Sequence, residues 1–191
     1  MTHTIRIDDI AHVGACVPHC NKLREVFPNG TIVFDMANYP QIRDKQVNVL
    51  WATPLLTRSV QLGLAKAWYD RAMAASSPSW KTPLRTLVDT PEANAASSQL
   101  SSRLAERRTT DATDALATAV AGVGYAAAAV AVKFAETPVD SGRTMSALVV
   151  LAQWCAQAAA IAETKTMEEV LDDIKASVFQ ALEDHGATIP T

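Results

Sequence analysis

Residues 115–162 read ALATAVAGVGYAAAAVAVKFAETPVDSGRTMSALVVLAQWCAQAAAIA, and this stretch decides the fold. Leu116, Val120, Val123, Ala127, Val130 and Phe134 recur at spacings of four and three. Met145, Leu148, Ala152, Cys155, Ala159 and Ala162 repeat the pattern, which is the period of an α-helix. Tyr125, Val132, Leu151, Trp154 and Ile161 make the other faces apolar as well, as expected of two central helices. The break at 137–142 holds Pro138, Asp140 and Gly142 and is short enough to fold the pair back antiparallel.

Toward the C-terminus, Thr166-Met167-Glu168-Glu169 has the spacing of a capping box. Met167, Val170, Leu171, Ile174, Val178 and Leu182 then form one stripe, with Glu168, Asp172, Asp173 and Lys175 on the opposite side. That pattern predicts a peripheral amphipathic helix. It ends at His185-Gly186, a cation at the negative helix terminus followed by a residue able to turn left-handed.

Toward the N-terminus, Thr90-Pro91 opens a polar segment that reads as a helix or exposed connector, and 76–83 reads as a loop. Thr53-Pro54 predicts a helix start, with the helix running to about Ala75 and carrying Leu56, Val60, Leu64, Ala67 and Ala72 on one side. Before it, Ile5–Ile7 reads as a short strand or extended entry, and Asp8 as the cap of a short helix to Val13. Pro18 suits the first turn of a helix to about Phe27, with Cys20, Leu23 and Phe27 on one face. Pro28-Asn29-Gly30 is a turn leading into the best strand candidate, Thr31–Phe34. Val47–Trp51 reads as a second strand or a buried segment. The fold class is therefore mainly α, an alanine-rich helical bundle over 53–191 with a small N-terminal α+β cap over 1–52.

Composition narrows the function. Apolar residues make up 49% of the 191, but only 6% are aromatic. Small side chains let helices approach closely and bury little area each, so such a core gains from many close contacts, a second copy or a partner. A net charge of −3 argues against general nucleic-acid binding, which needs positive surface. Arg103, Arg107 and Arg108 read as solvated helix-end charge. MTHTIRIDDI lacks a basic region followed by an apolar run, and three cysteines is an odd count, so the expected setting is cytoplasmic with reduced thiols.

The metal-binding residue types are unevenly placed. His3, His12, Cys16, His19 and Cys20 are five of the seven histidines and cysteines, all within the first twenty positions. His12, Cys16 and Cys20 lie four apart, so a continuous helix would align them, and with His19 they form a candidate zinc site. Against it, Gly14 and Pro18 interrupt that helix, no second ligand pair follows, and free cysteine is usually a small buried hydrophobe.

Three other features are weighed the same way. Gly122–Ala127 matches G-x-G-x-x-A, but the flanking residues share one helical period where a dinucleotide site needs a strand, so close helix crossing is the better account. Residues 115–132 and 145–162 carry no charge and reach the length of a membrane span. Alanine is nearly neutral for insertion and Gln153 and Gln157 interrupt the second segment, which favours a buried soluble hairpin. The acidic pairs Asp8-Asp9, Glu168-Glu169 and Asp172-Asp173 read as solvated or capping charge, and no nucleophile or phosphate-loop motif is present.

Gly14-Ala15-Cys16, then Phe27-Pro28 and Gly30, with Tyr125-Ala126-Ala127 further on, resemble a group of bacterial and phage proteins. Those proteins open with a Gly-Ala-Cys segment and a Phe-Pro after a short helix, and continue into alanine-rich helices. Some are labelled immunity proteins. The resemblance covers residues 8–34 with a compositional echo near 115–162, and it carries no catalytic residues. The absence of a catalytic motif, together with a core of small residues that gains from a second copy or a partner, points to a non-enzymatic interaction protein of bacterial or phage origin, an inhibitor, immunity-type or assembly factor, whose partner is another protein or a second copy. Trp68, Tyr69 and Trp80 are the candidate interface aromatics. The alternatives are a metal-dependent or cofactor-binding enzyme using the His/Cys-rich N-terminus, and a two-helix membrane or pore-forming protein.

Overall fold

Strand β1 (His3–Arg6) runs into a single turn of helix, α1 (Ile7–Ile10). Helix α2 (Val17–Val26) leads through the Pro28–Gly30 turn into β2 (Thr31–Phe34). A 3-10 turn (Met36–Asn38), α3 (Tyr39–Asp44) and a second 3-10 segment (Val49–Leu55) follow. The long helices are α4 (Arg58–Met73), α5 (Ala115–Ala135), α6 (Ser141–Glu163) and α7 (Met167–His185). This computed structural model describes residues 3–10, 15–74, 115–135 and 141–189. The protein is mainly helical, an alanine-rich bundle with a small α+β cap at its N-terminus. By internal packing it divides into two compact units, Met1–Gln61 with Lys175–Thr191, and Leu62–Ile174.

In the first unit β1 and β2 pair antiparallel, with His3 opposite Phe34 and Ile5 opposite Ile32. Successive side chains of a strand point to opposite faces, so Ile5, Ile32 and Phe34 are buried while Thr4 and Arg6 face outward. The end of α7 covers the buried face. Phe179 meets Phe34 edge-on, with ring centroids 5.6 Å apart, and meets Tyr39 at the same distance. The backbone N–H of Thr188 donates to the Leu55 carbonyl at 2.7 Å. Gly186 closes α7 with φ +80°, and a side chain there would strike the His3 ring.

In this unit the structure selects one of the two readings of 47–51 and corrects the expected start of α4. Val47–Trp51 is buried, but from Val49 it winds as a 3-10 helix to Leu55 and joins no strand. The reason is local: Asn48 Oδ1 accepts from the Leu50 N–H and caps the winding, and the Thr53 hydroxyl donates back to the Leu50 carbonyl. Thr53-Pro54 therefore sits inside this segment and does not open α4. The chain first extends at Leu56 to keep Leu55 and Leu56 buried, and the helical bonding then begins from the Thr57 carbonyl to Gln61. α3, between Tyr39 and Asp44, is a helix that the sequence reading did not include.

In the second unit α5 and α6 pack along each other. Val120, Val123, Ala127, Val130 and Phe134 are buried on α5, as are Leu148, Ala152, Cys155 and Ala159 on α6. Gly122 faces Trp154, and a Cβ on Gly122 would fall well under 3 Å from the indole. Those two residues are equally far from the 136–140 connection, as an antiparallel hairpin requires. Neither helix is buried all round, because Tyr125, Val150 and Ile161 are exposed. The buried side of α4 is Ala65, Trp68, Tyr69, Ala72 and Met73, whereas Val60 and Leu64 are half-buried and Ala67 is exposed. The helix thus presents its two adjacent aromatics to the interior, which removes more apolar surface than the aliphatic stripe would.

α6 ends where Thr164 adopts φ +56° and the Lys165 N–H reaches back to the Ala160 carbonyl at 3.0 Å. α7 then starts on its capping box. The Thr166 N–H donates to Glu169 Oε2 at 2.8 Å and the Glu169 N–H donates to Thr166 Oγ1 at 3.2 Å.

Candidate functional site

The chemistry-bearing side chains of the N-terminus gather at the start of α2. Pro18, in the first turn, has no N–H to offer a cap, and Cys16 at the N-cap makes no side-chain bond to the helix backbone. Its thiol turns instead to His19, one turn on, with Sγ 3.0 Å from Nδ1. Cys16 is exposed and His19 half-buried. Desolvation, and then the charge of Lys22, lower the His19 pKa, so the imidazole is neutral near pH 7.

Cys20 lies apart from that pair. It is buried, its thiol directed to the Ala15 carbonyl at 3.8 Å, and burial pushes its pKa up against the opposing charge of Arg24. His12 lies outside the described residues. The structure therefore brings Cys16 and His19 together and leaves Cys20 beneath them. Among the described residues, no three histidine, cysteine or carboxylate side chains converge as a metal ion would require.

The chain matches no family model, no curated protein and no solved structure.

The other candidates resolve in different ways. Trp68 and Tyr69 are buried, with relative exposures of 4% and 1%, and Trp80 lies outside the described residues. Gly122–Ala127 falls within α5, where Gly122 serves the approach of Trp154. Asp8 takes Arg24 at 2.9 Å and Arg6 at 3.7 Å, while Glu169 belongs to the capping box. Cys155 is fully buried and its pKa is raised well above the usual thiol range.

Among the described residues, one charged cluster joins segments that no spacing in the sequence connects. The Arg71 guanidinium grips Glu163 with two bonds of 2.7 Å and reaches Asp173 at 2.9 Å, and Lys165 joins both carboxylates. Arg71 holds the Glu163 carboxyl down to about 2. Its members come from α4, the end of α6, the link after it and α7, with Arg71 and Glu163 more than ninety positions apart, so no spacing rule connects them. Bidentate pairing at a junction of three helices positions those helices, and the cluster has no nucleophile within it.

Among the described residues one helix, Gly142–Glu163, is long and apolar enough to cross a membrane, with mean hydropathy 1.6 and 44% of the apolar window buried. The apolar part of α5, Gly122–Phe134, is shorter.

Proposed function

We propose that this chain acts by binding another protein, without catalysing a reaction, as an inhibitor, immunity-type or assembly factor. The observation that supports this reading is the incomplete burial of the two long apolar helices. On α6, Val150 is 41% and Ile161 42% exposed, and on α5 Tyr125 is 54% exposed. About half of each side chain is still in water, and covering that remainder with a partner surface would contribute roughly 0.7–1.5 kcal/mol apiece. The outer stripe of α6 also includes Arg143, Ser146, Gln153 and Gln157. Alternating polar and apolar groups suit a protein partner, which offers hydrogen bonds, better than lipid, which offers none.

The membrane reading draws on the same helix, so one experiment addresses both. The protein is purified without detergent, its mass in solution is measured by light scattering, and tagged protein is used to capture partners from the native host. The expected result is a soluble protein recovered with a stoichiometric partner or as an oligomer, an association lost in V150E and I161E at unchanged helicity. A strictly monomeric chain that captures nothing overturns the proposal, and solubility only in detergent favours the membrane.

A further inference from the structure

We infer that Cys16 and His19 form a reactive thiol pair, a site at which the chain exchanges with low-molecular-weight disulfides to become S-thiolated. This inference is independent of the binding role above. It stands on geometry: a nucleophile and a base on successive positions of one helix face, 3.0 Å apart, with the sulfur exposed to solvent. The N-cap conformation of Cys16, with φ −73° and ψ 156°, leaves its side chain beside the first turn of α2. Pro18 offers no N–H to cap, Cys16 makes no side-chain bond to the helix backbone, and its sulfur lies against the imidazole.

The chemistry balances without any further reagent. In the tautomer with its proton on Nε2, His19 Nδ1 takes the thiol proton as Cys16 Sγ attacks one sulfur of a small disulfide. A new sulfur–sulfur bond forms to Cys16, the original one breaks, and the departing thiolate recovers the proton from the imidazolium. The products are the mixed disulfide on Cys16 and one free thiol. The other two thiols do not compete. Cys20 and Cys155 are both buried, and burial raises the pKa of each, which disfavours the thiolate that exchange requires.

Among the described residues, Lys22 acts on the imidazole, while Arg24 and Asp8 act on the neighbouring Cys20. All three are retained in the test. The full-length protein is incubated with glutathione disulfide or with 5,5′-dithiobis(2-nitrobenzoate), and the modified cysteine is identified by peptide mass spectrometry across pH 5.5–9. Native protein takes up one equivalent at Cys16 ahead of the other thiols, and C16S abolishes that phase. In H19Q the Cys16 rate near pH 6.5 falls about tenfold, and the gap closes at alkaline pH, where the thiolate forms without a base. Should H19Q lose helicity, the pH–rate curve of native Cys16 is compared with that of a peptide spanning residues 13–24. Equal curves for native protein and peptide, equal rates in H19Q and wild type at every pH, or first modification at Cys20 or Cys155 would each overturn the inference.

Discussion

The ring of Phe179, near the C-terminus, stands edge-on against Phe34 of the N-terminal sheet, with 5.6 Å between centroids and 63° between planes. Tyr39 approaches the same ring at 5.6 Å, so three aromatics close the buried side of a sheet only two strands wide. A two-stranded sheet is marginal by itself in water and needs such a cover. Truncating Phe179 to alanine should therefore destabilise the protein by about 3–5 kcal/mol, and Phe179→Leu by less than about 1.5 kcal/mol. Urea denaturation measures both. A loss below about 1 kcal/mol for F179A would show that the sheet does not depend on this contact.

The α5–α6 hairpin makes a different demand. Because a Cβ on Gly122 would fall inside contact distance of the Trp154 indole, Gly122→Val should cost about 1–3 kcal/mol through overpacking. Combining it with Trp154→Ala should cost less than the sum of the two single changes, since the smaller side chain makes room. Additive losses in the double-mutant cycle would mean that the two residues do not share the space.

Acid sensitivity follows from Arg71 and Glu163. The folded-state carboxyl lies near 2 against an ordinary value of 4.5, so folding favours its ionised form. The stabilisation is complete above pH 4.5 and is lost as pH falls from there through about 2. Both side chains keep roughly 30% of their surface in water, so screening reduces the pair to about 1 kcal/mol. R71M should lose that amount at neutral pH, and its deficit relative to wild type should narrow by pH 3. A deficit that stays constant from pH 7 to pH 3 would rule out the charge pairing as its source.

Thr164 adopts φ +56° on an exposed stretch between α6 and α7, a conformation that costs a β-branched residue about 1–2 kcal/mol. Thr164→Gly should raise the thermal midpoint, with a net gain of about 0.5–1 kcal/mol once the extra freedom of the unfolded glycine is subtracted. Thr164→Pro, locked near φ −65°, should lower it. An unchanged midpoint in T164G would show that this backbone is unstrained.

Much of the local structure is legible because it rests on neighbours in the chain. Thr166 and Glu169 form the box their spacing implies, Gly186 turns left-handed after His185, and Thr31–Phe34 is a strand between a turn and a polar break. The start of α4 departs from the local signal for a reason of burial. Thr53-Pro54 has the chemistry of a helix start, yet the burial of Leu55 and Leu56 holds the chain in a 3-10 winding and an extended step first. The apolar stripe of the same helix was misplaced because periodicity counts positions equally, while Trp68 and Tyr69 bury far more area than the leucine and valine opposite them.

The candidate site was half legible. The crowding of histidine and cysteine near the N-terminus singled out His12, Cys16, His19 and Cys20, and the stripe of Cys20 with Leu23 and Phe27 pointed to the buried thiol, but spacing does not show that Cys16 turns to His19. Pro18 decides that locally, by starting α2 after Cys16 and separating the exposed thiol from the buried one.

By itself, then, the sequence determined the helical class, the long apolar pair, the amphipathic character of the last helix and the caps at its ends, because helical period and capping are interactions across three or four residues. Only the tertiary structure decided that Phe179 covers Phe34, that Gly122 meets Trp154, and that Arg71 joins Glu163 to Asp173. Those contacts depend on which faces pack, a choice set by buried area and charge pairing between distant segments.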